Sequence, residues 1–325
     1  MGHKRWLIPV LLGLATLPAT AQDRILLGLP IDCTLGMDCF IQQYVDHDPG
    51  PDARDFACSS LTYDGHKGTD FGLISERLMQ RGVPVIASAP GVVKGWRDGM
   101  RDVTYSADVM DEVDGRDCGN GVLVDHENGW TTQYCHMRQD SVLVKKGDRV
   151  ERGTELGLVG LSGRTQFPHV EITVRRKGEV VDPFTPDTPD ICNANPTETL
   201  WIDPPEYRPG GILSVGISDE VPTFNQVKAG TARDAMLTIT SPGLIVWGYV
   251  FGGRKGDVTR ITLTGPNGEI VNYEDALEKN KAQFFRAAGK RLKAPSWPAG
   301  VYTAGFNLIR DGQIIDSGTT FLELR

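Results

Sequence analysis

VKKGDRVERGTELGLVGLSGRTQFPHVEITV, residues 144–174, is the stretch on which the reading of this 325-residue chain turns. Glycines at 147, 153, 157, 160 and 163 cut it into pieces too short for helices. The alternating segments 155–159 and 171–174 therefore read as strands joined by tight turns. Pro168-His169-Val170-Glu171 puts an imidazole and a carboxylate on one strand face, because side chains two apart along a strand point the same way. Both groups are proper zinc ligands, although a salt-linked surface strand is the plainer use of such a pair. A lipoyl-like hairpin has similar valine and glycine spacing, but the segment lacks the central Asp-Lys pair that such a hairpin presents for attachment.

Two constellations lie upstream. In His66-Lys67-Gly68-Thr69-Asp70 an extended backbone projects His66 and Asp70 together with only glycine between them, a pair able to grip one metal ion. In Tyr134-Cys135-His136-Met137 the histidine sits on a strand that can be placed in register. Asn128-Gly129 is a type I′ turn signal, and pairing Glu127 with Trp130 sets His136 opposite Gly121. Thr132, Tyr134 and His136 should then share one face, with Gln133 and Cys135 on the other. His47 reads as a loop residue and His126 as a cap on the hairpin strand. Between the strands near Trp96 and Gly121 runs an acidic, irregular insertion, residues 98–117, read as a solvated loop that could also hold a cation or wall a groove.

The composition fits this mainly β reading. Apolar residues make up 40% of the chain and charged residues 23%, with 38 Gly and 20 Pro spread along it. The net charge of −8 is the wrong sign for a protein that neutralises phosphates, so no nucleic-acid partner is expected. Residues 1–21 carry Lys4 and Arg5, an apolar run and Ala19-Thr20-Ala21, the pattern of a cleaved secretory signal peptide. The apolar run is shorter than a bilayer span, so no stable membrane insertion is expected after signal removal. Six cysteines in a chain sent to an oxidising compartment predict disulfides, and only Cys33 with Cys39 has a local argument for its pairing.

Taken together, HKGTDFG at 66–72, YCHM at 134–137 and the 144–174 segment resemble the LytM/lysostaphin-type zinc endopeptidases of bacterial cell walls, over roughly residues 60–185. The resemblance implies a glycine-rich antiparallel β-sheet peptidase domain with one Zn2+. His66, Asp70 and the residue at 171 would be its ligands, with His136 and His169 as the catalytic histidines flanking the attacked water. His169 is taken as base and His136 as stabiliser, with the reverse assignment open. The family has His where this chain has Glu171, and a second carboxylate makes the site neutral and the Lewis acid weaker. The implied activity is hydrolysis of peptidoglycan stem-peptide cross-links in the periplasm or outside the cell. The alternative is a catalytically silent relative that binds and regulates another cell-wall hydrolase.

Prolines 183, 186, 189, 196, 204, 205 and 209 mark a connector. The expected organisation is a signal peptide at 1–21, a LytM-like domain with an N-terminal extension at 22–185 and a Pro-rich linker at 186–209. An Ig-like β-sandwich follows at 210–325, with a helix-like stretch at 273–292 and the role of a spacer or partner-binding module. The linker is expected to make few contacts, leaving two separable domains.

Overall fold

The computed structural model describes residues 24–188, 191–233 and 236–325, so the expected signal peptide lies outside the described residues. The first half contains β1 (Cys39–Gln43), β2 (Thr69–Leu73), α1 (Glu76–Arg81), β3 (Pro84–Ile86) and β4 (Gly91–Arg97). After α2 (Met110–Val113) come β5 (Asn120–Asp125), β6 (Trp130–Met137), β7 (Arg149–Val150), β8 (Glu155–Leu158), β9 (His169–Arg176) and β10 (Glu179–Val180). One antiparallel sheet runs in the order β1-β2-β9-β6-β5-β4-β7, with β10 beside β9 and a separate β3–β8 pair.

Period-two alternation gives this sheet two different faces. Val170, Ile172 and Val174 of β9 pack with Phe71, Val122, Val124 and Tyr134 in a core that excludes water almost completely. Burying each such side chain contributes about 1.5–3 kcal/mol. His169, Glu171, Thr173 and Arg175, the alternate residues of β9, line a cleft on the opposite face.

The hairpin register departs from expectation by one residue. Asn128 and Gly129 do have positive φ, +61° and +78°, but His126 pairs with Trp130 and the loop takes in Glu127 as well. Val122 therefore faces Tyr134 instead of Cys135. Between Tyr134 and Met137 β6 advances three residues while β5 retreats two, from Val122 to Asn120. That extra residue is a β-bulge, and His136 sits in it with φ +61°. His136 consequently leaves the Thr132–Tyr134 face and joins Gln133 and Cys135 on the cleft side.

The second half is β11 (Gly211–Ser218), α3 (Phe224–Ala229), β12 (Gly243–Gly253), β13 (Val258–Gly265), β14 (Gly268–Ala276), β15 (Lys281–Arg291), β16 (Gly300–Arg310) and β17 (Gln313–Leu324). Sheets β11-β12-β15 and β14-β13-β16-β17 enclose one core that includes Leu244, Val246, Ile261, Tyr302 and Phe306, the two-layer architecture of a β-sandwich. The helix expected over 273–292 is instead the end of β14 and all of β15. Its Glu, Lys and Ala content favours helix locally, but pairing with the fully buried β12 from Gly243↔Arg291 to Gly253↔Lys281 overrides that preference.

The connector is anchored at 199–201 and 207–209, while most of its other described residues are exposed. Leu27 bridges Trp201, which is buried with Phe71 and Phe184 in the first core. Tyr207 donates to Asp55 at 2.8 Å, Arg208 pairs with Asp316, and the Pro209 carbonyl accepts from Arg310. At these two places the connector makes more contacts than expected: proline rules out strand pairing, but it leaves ring packing and carbonyl acceptors available. All six cysteines are paired, as Cys33–Cys39, Cys58–Cys192 and Cys118–Cys135. Among the described residues no helix is long and apolar enough to cross a membrane.

Candidate functional site

Three adjacent strands carry the site. Asp70 on β2 lies directly across from Glu171 on β9, and Glu171 directly across from Cys135 on β6. His66, in the turn before β2, brings its Nε2 to 3.2 Å from Asp70 Oδ1. One donor atom each from His66, Asp70 and Glu171 lies within 4.8 Å of the others. The sequence therefore placed together residues that the fold also brings together.

Gly68 makes this approach possible. A Cβ there would lie 2.5 Å from Glu171 Cγ and 2.6 Å from Oε1, so the space a side chain would fill is taken by the carboxylate arm. Oε1 accepts from Thr173 at 2.9 Å, and Oε2 is 3.4 Å from His136 Nε2.

The histidines are oriented from behind. His66 Nδ1 donates to the Tyr44 carbonyl at 2.7 Å, which aims Nε2 at Asp70. A bare nitrogen lone pair and a carboxylate oxygen at 3.2 Å repel, so the pair needs a proton or a metal between them. Without a metal the proton fills that role: burial alone would disfavour it, but Asp70 and then Glu171 prevail and raise the His66 pKa to about 9. Burial also works against ionised Glu171, and is outweighed by His136 and His66, which hold the carboxyl down at about 2.

His136 Nδ1 donates to the Ser162 carbonyl at 2.8 Å, and His169 Nδ1 lies 2.9 Å from the Phe167 carbonyl. Both therefore present Nε2 to the cleft. Burial opposes charge on His136 but Glu171 overcomes it, so its pKa rises. His169 has no such carboxylate partner at hydrogen-bond distance, since Asp70 Oδ1 is 3.7 Å away. Burial, with His136 nearby, lowers its pKa to about 4. Their rings are 4.5 Å apart, and Phe167 stacks on His169 at 4.3 Å.

The cleft measures about 910 Å3. Sequence reasoning missed several of its residues. Thr173 was legible, two residues beyond Glu171 on the same strand face. Tyr63, whose ring lies 4.5 Å from that of His66, and Phe167 carried no motif of their own. Phe224, Lys228 and Gln283 come from the second half, and only tertiary docking brings them here. Tyr105 and Asp117 of the acidic insertion also line the cleft, while its Asp98 and Asp102 accept backbone amides from 139–142 and 161. The other two histidines among the described residues are structural: His47 pairs with buried Asp182 at 2.6 Å, and His126 bonds Pro90 and Thr132.

Residues 64–183, which hold every one of these strand-borne groups, match the profile of Peptidase family M23. This segment is an M23 domain. The peptidoglycan DD-endopeptidase ShyA of Vibrio cholerae is 33% identical over 124 residues, 38% of this chain and 23% of that protein. The cell division protein DipM of Caulobacter vibrioides is 34% identical over 109 residues, 32% of this chain and 15% of its own length. An uncharacterized metalloprotease of Haemophilus influenzae is 31% identical over 124 residues, 38% of this chain and 21% of its own. The chain thus spans less than a quarter of the length of these relatives. An M23 domain implies a metal cofactor. One imidazole and two carboxylates, with Gly68 clearing the approach, form a compatible donor set.

Proposed function

We propose that the chain is an exported, zinc-dependent endopeptidase that hydrolyses peptide cross-links of peptidoglycan. The observation that carries this reading is the convergence, in one cleft, of the His66–Asp70–Glu171 donor set with two further histidines whose Nε2 atoms face it. The M23 match and the DD-endopeptidase activity in the name of ShyA support the substrate class. Zinc suits a donor set of imidazole nitrogen and carboxylate oxygen. Three disulfides support an oxidising destination, and we assign residues 1–21 as the signal that delivers the chain to the periplasm or beyond. Residues 22–185 are proposed as the peptidase unit, 186–209 as the connector and 210–325 as an Ig-like sandwich.

His66 Nε2, Asp70 and Glu171 would hold the metal, which when bound supplies Lewis-acid activation of water and of the scissile carbonyl. His169, neutral and with Nε2 unprotonated, accepts the proton of the attacking water. His136 keeps its proton under the influence of Glu171 and donates from Nε2 to the oxyanion or to the leaving amine. Phe167 stacks on the His169 ring and Tyr63 lies against the His66 ring, limiting how far these imidazoles can turn.

One observation favours a second reading, a non-hydrolytic regulator of another cell-wall hydrolase. Both Glu171 oxygens already have partners within the protein, Thr173 and His136, and a relative is named as a cell division protein. Metal analysis of the mature chain together with digestion of purified peptidoglycan separates the two. The endopeptidase binds zinc stoichiometrically and releases peptide amines, and His169→Ala abolishes release while zinc stays bound. A chain that holds no zinc and cuts at no pH is the regulator.

A further inference from the structure

The cleft has a wall that the M23 domain does not supply. Phe224 and Lys228, one turn apart on α3, and Ala282 and Gln283 of β15 line it together with His66, Asp70 and Glu171. Local sequence seats α3 firmly. Thr223 and Gln226 form a reciprocal capping box at its start, and Gly230 closes it in the left-handed conformation. The Phe224 ring stacks on Phe285 and meets Tyr249 edge-on, so the helix rests on the sandwich sheet.

That wall is fastened to the peptidase sheet by Gln42 of β1, whose side chain is buried. Gln42 Nε2 donates to the Ala282 carbonyl at 3.1 Å, and its Oε1 accepts from Gln283 Nε2 at 2.8 Å. Tyr249 holds Gln283 from behind, and Phe40 packs on Phe251 at 4.8 Å beside this clasp. The buried Gln42 amide, with both ends satisfied, favours one arrangement of the partners, because a shift leaves it unpaired.

The wall is cationic. Lys228 Nζ lies 5.3 Å from the Phe224 ring centroid, and among the described residues it has no carboxylate within ion-pairing distance. Among the described residues Lys67 and Arg164, on other lips of the cleft, likewise have no carboxylate within ion-pairing distance, and Arg164 lies over the Tyr105 ring. A half-buried ammonium above an aromatic ring at the edge of a peptide-sized cleft is suited to a carboxylate on an extended ligand.

We propose that α3 of the sandwich is a substrate-binding wall in which Lys228, backed by Phe224, takes a free carboxylate of the bound peptide. The identity of that peptide rests on the peptidase reading above; the wall does not. The carboxylate can be a side-chain group or a C-terminus, and the test separates these. Fluorescent stem tetrapeptides in acid, side-chain-amidated and C-terminally amidated forms are titrated by anisotropy against the metal-loaded, full-length mature chain, read before turnover. Lys228→Ala weakens binding of the acid peptide about fivefold, Lys228→Glu weakens it at least tenfold, and Lys228→Arg retains it. The amidated form that no longer responds to Lys228→Ala identifies the carboxylate. Unchanged melting of the variants confirms that the fold is intact. Wild-type affinity in Lys228→Glu, equal sensitivity of all three peptides, or no binding by the wild type overturns the proposal. Cleavage of the same peptides is scored separately. Binding without cleavage removes the peptidase reading and leaves the wall, whereas cleavage unaffected by Lys228→Glu removes the wall and leaves the peptidase.

Discussion

One methyl group at Gly68 tests the metal site without altering any donor. Gly68 is not in a left-handed conformation, so alanine costs nothing in backbone strain; what it meets is Glu171, at 2.5 Å from Cγ and 3.0 Å from Cδ. Carbon atoms rest about 3.5–4.0 Å apart, so the Glu171 arm must retreat by roughly 1 Å. Metal–oxygen distances tolerate about 0.2 Å, and a carboxylate displaced that far no longer ligates. Losing an outer partner of a ligand costs 10–100-fold in affinity, and losing the donor itself should reach at least about 100-fold. The Glu171 side chain is 18% exposed and can move into the cleft, so the folding cost stays near about 1 kcal/mol. Competition with a chromophoric chelator measures the affinity, and melting of the metal-free forms measures the fold. Gly68→Ala and Glu171→Ala should weaken zinc equally, and the double variant should be no worse than either, because both remove the same interaction. Gly68→Ala that binds zinc as tightly as the wild type would refute the assignment of Glu171 as a ligand.

Three further outcomes are expected. Since metal-free His66 holds its proton up to about pH 9, zinc binding at pH 7 should release one proton, and affinity should rise toward pH 9 and then level; calorimetry in buffers of different ionisation heat counts the proton. Arg310→Ala strips buried Asp257 of its two-pronged partner and should cost about 3–5 kcal/mol in urea unfolding, well beyond a surface ion pair. Replacing Cys58 and Cys192 together by Ser opens a bridge spanning 134 positions and should cost roughly 2–4 kcal/mol, with zinc binding retained.

The sequence made legible what short-range geometry determines. His66 and Asp70 share a face because glycine separates them on an extended backbone, and His169 and Glu171 because they alternate on β9. The strands β4, β5, β8 and β9 followed from alternation and glycine punctuation. What escaped depends on long-range pairing. β15 has helix-forming residues and becomes a strand only because β12 lies beside it. Lys228 reaches the cleft only because Gln42 clasps β15. The His136 face was missed because neither the three-residue loop nor the bulge follows from the Asn-Gly signal alone.

That loop and that bulge are complementary insertions. Removing a residue from the turn would slide β6 by one position and exchange its two faces, presenting Tyr134 to the cleft and Gln133 to the core. The bulge confines the opposite exchange to two positions: it sends His136 outward and returns Met137, fully buried, to the interior. The hairpin is therefore intolerant of length change at its tip, where a slip would expose the face that Val122, Val124 and Tyr134 keep dry. Single-residue deletions at the tip should lose the fold, whereas deletion of His136 straightens the bulge, leaves Tyr134 and Met137 on the core face, and should keep the fold while removing an imidazole from the cleft.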